Sequence, residues 1–376
     1  MPSSTSNSEF QRVIPELPWR GITVAVVTGV CIAVAAWEVY CRSLGYQPTL
    51  NDTEDLWAAT RRRVEPESIV IIGDSRAWFD MDLDELEHGL GKRPVQLAQP
   101  GSCAYPVLED LANDEHFHGT VLCSIVPGMF FAPGGPLLEN SQKAVRRYHG
   151  ETWAQRVSHY LSMPLEESFA FLKDEDLTLA ALLLELPIPD RPNAQVPPRT
   201  PPYFCSIDHE RRARMVERCA QPGRLQEMVK SRWIKLFTPP PPPSFVPAQA
   251  YGAKMTAAVE QRYADTKSAV EKLRARGGKV VFIRFPVSGP LKEHEDKLTP
   301  RAKTWDPLLQ QTAAPGIYFE DFAELASFTC PEWSHLSAGD SVEFTKRLVP
   351  HLRAALQLGL NAGASDLRPV ESPVRL

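Results

Sequence analysis

The sequence predicts an α/β protein: one domain on a doubly wound, five-stranded parallel sheet, placed behind an N-terminal transmembrane helix and interrupted by a proline-rich insertion. Three observations predict it. Short β-branched runs alternate with segments of helical periodicity, the pattern of strands and crossover helices. These runs are apolar at consecutive positions, as strands buried on both faces are. Residues 21–37, "GITVAVVTGVCIAVAAW", carry no charge at all.

That apolar run, extended through Val39 and Tyr40 to residues 21–40, has the roughly 20 residues a bilayer requires. Trp19, Trp37 and Tyr40 stand where interfacial aromatic residues are expected. Ala33-Val34-Ala35 resembles a signal cleavage site, but the long polar stretch 1–20 before the run favours an uncleaved anchor. Arg12 and Arg20 precede the span, Arg42 follows it and Arg61, Arg62 and Arg63 lie further on. This near balance leans towards an exported body.

A polar connector, 41–66, leads into the domain, 67–360. The first strand is 68–72, closed by Gly73. Residues 82–90 form a helix stopped by Gly91, and 95–98 a second strand. Residues 106–112 read as a helix and 120–126 as a third strand. An insertion, about 130–250, then breaks the rhythm with "LPIPDRPNAQVPPRTPPYF" and "FTPPPPPSFVP". Such proline runs favour extended, solvated backbone. A surface appendage and a cap over the sheet edge are equally open readings. Residues 177–186 are too short to cross a membrane and read as a core helix. Met255, Val259, Tyr263, Thr266, Val270 and Leu273 share one face of a helix ended by Gly277-Gly278. Residues 279–285 and 316–319 are the fourth and fifth strands. Ser337 caps the last helix with Asp340 three residues on, Pro350 should kink it, and 361–376 is a tail.

The chain of 376 residues has a net charge of −5 and no dense basic stripe, which excludes nucleic acid as the first choice of partner. Its seven cysteines show no CxxC spacing, so neither zinc nor a redox pair is indicated. A Cys205–Cys219 disulfide is conceivable in an exported domain, while free buried thiols are the simpler state. His116 and His118 in "DEHFHG" lack a third and fourth ligand and read as a solvated loop.

The residues that carry chemistry cluster at strand ends. Ser75 follows the first strand in "GDSR", where a turn could expose a nucleophile. His335 precedes the last helix in "CPEWSHLSAGD", at the same sheet edge, and can serve as its base. Glu332, three residues earlier, can bend back to fix the imidazole. Backbone N–H groups at Ser75 and at Gly101, after the second strand, can hold an oxyanion. Asp321, ending the fifth strand, is the reserve acid.

This set resembles the SGNH, or GDSL-type, hydrolase superfamily of esterases and acyltransferases. Gly73-Asp74-Ser75 matches its first block, Gly101 the glycine of its second, and Glu332-x-x-His335 stands where the family has Asp-x-x-His. The resemblance covers 67–126 and 250–357 and implies a flavodoxin-like three-layer sheet. It further implies a catalytic trio of Ser75, His335 and Glu332, with no metal or organic cofactor. By analogy with membrane-tethered members, it implies an acyl ester of an envelope glycan or lipid as substrate. It also implies polysaccharide-modification partners and an inner-membrane protein with a periplasmic body. Arg76 stands in place of the motif's leucine. The third block departs most: "VPGMFF" stands where Gly-x-Asn-Asp belongs, leaving the backbone of Gly128 or Met129 to replace the asparagine donor. Asn113-Asp114 precedes the third strand and so is a decoy for that pair.

Overall fold

A computed structural model describes residues 17–184, 186, 203–237 and 248–361. The expected N-terminal tail to residue 16, most of both proline runs and the tail beyond 361 lie outside the described residues. Two compact units part between Gln47 and Pro48.

The first unit is the helix Trp19–Ser43, about 37 Å long at the usual rise per residue. Its most apolar stretch has a mean hydropathy of 2.1 and no buried residue, so it is long and apolar enough to cross a membrane. Trp37 and Tyr40 pack their rings 5.4 Å apart near its end.

The second unit is built on β1 (Ile69–Ile72), β2 (Val95–Gln96), β3 (Thr120–Ser124), β6 (Lys279–Arg284) and β7 (Gly316–Tyr318). They form one sheet in the order β2-β1-β3-β6-β7, every pairing parallel. All four residues of β1 are buried, because it lies second in a sheet with helices on both faces. Helices Ser75–Asp80 and Leu83–Leu90 pack with the last helix, Ala338–Asn361, as one layer. Helix Tyr105–Asn113 packs with Pro136–Gly150 and with Ala248–Ala275, which in turn meets Arg301–Thr312, as the other. The order reverses at β1, so the turns after β1, β2 and β3 surround the crevice where open α/β sheets bind ligands.

Local signals explain the element ends. Gly91 closes its helix with φ +78, and the Ser337 hydroxyl accepts the Asp340 N–H as the expected cap. Within the expected connector, Thr53 caps helix Glu54–Arg61, which buries Leu56 and Trp57; Trp57 donates to the Leu97 carbonyl at 2.9 Å.

The insertion differs from expectation twice. It contains an antiparallel hairpin, β4 (Cys205–Ile207) and β5 (Ala213–Met215), each strand too short for any periodicity to show. The leucine run 177–186 is no core helix: extended backbone at Thr178 splits it, and Leu179 and Leu183 are exposed. Among the described residues, no disulfide joins Cys205 to Cys219.

Candidate active site

Ser75 is the first residue of helix Ser75–Asp80 and is half-buried. The turn presenting it depends on Gly73. With φ +145, a Cβ there would lie 2.4 Å from the Ser124 Cβ, so only glycine allows the ends of β1 and β3 to approach. Asp74 has a structural duty: one carboxylate oxygen caps the helix through the Arg76 N–H at 2.8 Å, and the other accepts the Ser124 hydroxyl at 2.8 Å.

Glu332 and His335 lie on the loop before the last helix. Trp333, between them, has φ +79, unusual for a non-glycine residue and found where surrounding structure imposes it. Here Ser288 supplies two ties: its N–H donates to the Trp333 carbonyl at 2.9 Å, and its hydroxyl accepts the Cys330 N–H at 2.9 Å. Glu332 is wholly buried and accepts from His335 Nδ1 at 2.9 Å and from the His335 N–H at 2.6 Å. Its other oxygen accepts the indole N–H of Trp233, from the insertion. With Nδ1 committed as donor, Nε2 carries the basic lone pair.

The imidazole lies over the Ser75 helix. It stacks on Phe79 with centroids 4.4 Å apart, and Phe79 is one turn beyond Ser75 on the same helix face. Asp80, ending that helix, accepts the Leu336 N–H at 2.8 Å and so pins the residue after His335. Phe204 and Trp233 complete a roof, at 6.0 and 5.6 Å from the imidazole, leaving His335 1% exposed. His335 Nε2 is buried and has no hydrogen-bond partner among the described residues, so Ser75 Oγ is not bonded to it. Of the expected trio, the structure joins Glu332 to His335 and sets both against the helix that begins at Ser75.

Gly101 follows β2, the neighbour of β1, with φ +57 and no atom within 4 Å of a Cβ position. After β3, the Met129 N–H is taken by the Val126 carbonyl at 2.9 Å and cannot replace the asparagine donor; Gly128 is exposed. Asp321 pairs with Arg301 at the surface, which removes the reserve acid. Asp114 pairs with Arg61 and Asn113 accepts from Lys272, structural uses for both decoy residues. The Cys330 thiol donates to the Pro286 carbonyl, and burial pushes its pKa up, as in a packed thiol.

Arg76 forms a buried ion triad. It donates to both Glu295 oxygens, at 3.0 and 2.5 Å, and Arg284 approaches the same carboxylate. Burial alone would raise the Glu295 pKa, but the two guanidinium groups hold it at about 2.

Asp80 has the opposite fate: burial raises its pKa well above the usual aspartate range, with Glu332 adding to the effect and the Leu336 N–H and Arg76 opposing it. The fold therefore favours its neutral form. That contribution is present at low pH and lost as pH rises from the unfolded aspartate range through the raised value. In Asp80→Asn the loss disappears. Thermal midpoints of parent and variant from about pH 4 to 8 should show the variant gaining on the parent as pH rises.

Sequence reasoning missed Phe79, Asp80, Phe204 and Trp233. Only Phe79 had a local signal, its four-residue spacing from Ser75. The other contacts to the His335 loop depend on tertiary structure. No protein-family model matches the chain, and no curated protein is detectably similar to it.

Proposed function

We propose that this chain is a membrane-anchored serine esterase or O-acyltransferase, acting on an acyl ester of a cell-envelope glycan or lipid. The carrying observation is His335: Nδ1 is held by buried Glu332, Nε2 is buried and unpartnered among the described residues, and the ring stacks on Phe79 of the Ser75 helix. A buried nitrogen without a partner costs about 1–3 kcal/mol, which calls for a functional account.

In the proposed reaction, Ser75 Oγ attacks the ester carbonyl as Nε2 takes its proton. The N–H groups of Ser75 and Gly101 hold the oxyanion. Nε2 then returns the proton to the leaving alcohol, giving an acyl ester on Ser75. Water, or a glycan hydroxyl, attacks that ester with Nε2 again as base, giving hydrolysis or transfer. The apolar helix Trp19–Ser43 supports anchoring in a membrane; the inner membrane and a periplasmic body belong to the proposal through the family resemblance.

A second reading is a catalytically inactive SGNH-like protein that binds a glycan or membrane partner. The aromatic roof, the absence of a Ser75–Nε2 hydrogen bond and the missing third-block asparagine favour it. A fluorophosphonate probe separates the two. The catalytic reading expects one adduct on the full chain, mapped by mass spectrometry to Ser75. A folded chain that takes up no probe leaves the binding reading in possession.

A further inference from the structure

Helix Trp153–Glu166 is amphipathic in the wrong sense for a helix on a protein core. His159, Gln155, Ser162 and Glu166 lie on the face that meets the body: His159 is buried, and Glu166 accepts the Asn51 N–H at 2.9 Å. The opposite arc is apolar and uncovered: Trp153 is 78% exposed, Val157 52%, Tyr160 55%, Leu161 69% and Leu165 53%. These positions recur at helical spacing and form one stripe. The helix is held by a Thr152–Gln155 capping box, by polar contacts and by Met163 packed on the core, while its apolar stripe stays outside that packing.

Two further observations bear on what could cover that stripe. Asn51, which bonds to Glu166 and through its amide to the Leu172 carbonyl, stands eight residues beyond Ser43, the end of the apolar helix. Eight residues span at most about 29 Å, so a bilayer crossed by that helix is within reach of the stripe. The preceding helix, Pro136–Gly150, supplies Lys143, Arg146 and Arg147, which with Glu54 line a cleft of about 280 Å³; Arg147 pairs with Asp55 at 3.4 Å, leaving Lys143 and Arg146 as the cations offered to a ligand. Cations on a helix joined by two residues to a Trp- and Tyr-bearing apolar face suit an anionic lipid surface.

We infer that helix Trp153–Glu166 lies in the membrane interface as a second contact, its apolar stripe among lipid headgroups and upper acyl chains. The inference shares with the proposed function only the membrane anchor, not the chemistry of Ser75.

The test uses the full chain in vesicles of phosphatidylcholine and phosphatidylglycerol, with plain or brominated acyl chains. Subtracting the emission of Trp153→Phe from that of the parent isolates Trp153. Interfacial helices bury about 5–10 Å deep, so bromine should quench this difference emission about twofold or more. Val157→Glu with Leu161→Glu changes only exposed positions. Because each buried Val or Leu is worth about tenfold or more, the pair should lower the docked-to-undocked ratio about a hundredfold and abolish the quenching. A chain that floats with the vesicles while Trp153 is unquenched overturns the inference, as does quenching that survives both glutamates. Unquenched Trp153 in a dimer that dissociates on Leu161→Glu assigns the stripe to a second copy instead. A chain that fails to float overturns the anchor and this contact together.

Discussion

Ser75→Ala should abolish fluorophosphonate labelling and lower hydrolysis of p-nitrophenyl acetate by about four orders of magnitude or more. The residue is half-buried at the start of its helix, and its side chain accepts or donates none of the hydrogen bonds that form the turn. Those belong to Asp74 and Gly73, so the alanine variant should fold and melt like the parent. His335→Ala should cost as much, and the double variant hardly more than either, because nucleophile and base act as one unit. Glu332→Gln should lose about four orders of magnitude by stabilising the wrong imidazole tautomer. Equal ester turnover in parent and Ser75→Ala would exclude the proposed nucleophile.

Glu295→Ala should be the most destabilising single change to the domain. It leaves Arg76 and Arg284 as uncompensated buried charges, a defect that costs about 3–5 kcal/mol. In a domain of this size that corresponds to a fall of about 10 °C in thermal midpoint, measurable on the full chain in detergent. Asp321→Ala breaks a half-exposed pair with Arg301 and should cost under about 1 kcal/mol. The pH dependence follows from the depressed Glu295 pKa: its contribution is complete above the ordinary glutamate range and is lost as pH falls towards about 2. A Glu295→Ala midpoint within a degree or two of the parent's would show that the triad carries no net stability.

The sheet was legible because its information is local. Consecutive β-branched residues mark β1, β3 and β6, Gly73 closes the first run, and Ser337 with Asp340 writes a cap into four residues. Glu332 and His335 were legible for the same reason, lying three positions apart. What surrounds them was not. Trp233 reaches Glu332 across 99 positions, and Arg76 reaches Glu295 across 219, so no sequence window contains both partners. The split of 177–186 and the hairpin β4–β5 escaped for another reason, since three- and four-residue elements are shorter than the periods used to recognise them.

The indole of Trp233 has a thermodynamic consequence beyond covering the site. Its hydrogen bond falls on the same carboxylate that holds the imidazole. The insertion and the loop before the last helix therefore share one buried acceptor, and Trp233→Phe leaves an oxygen of Glu332 buried without that donor, at a cost of about 1–3 kcal/mol. A residue 99 positions away thus supports the imidazole as directly as one beside it.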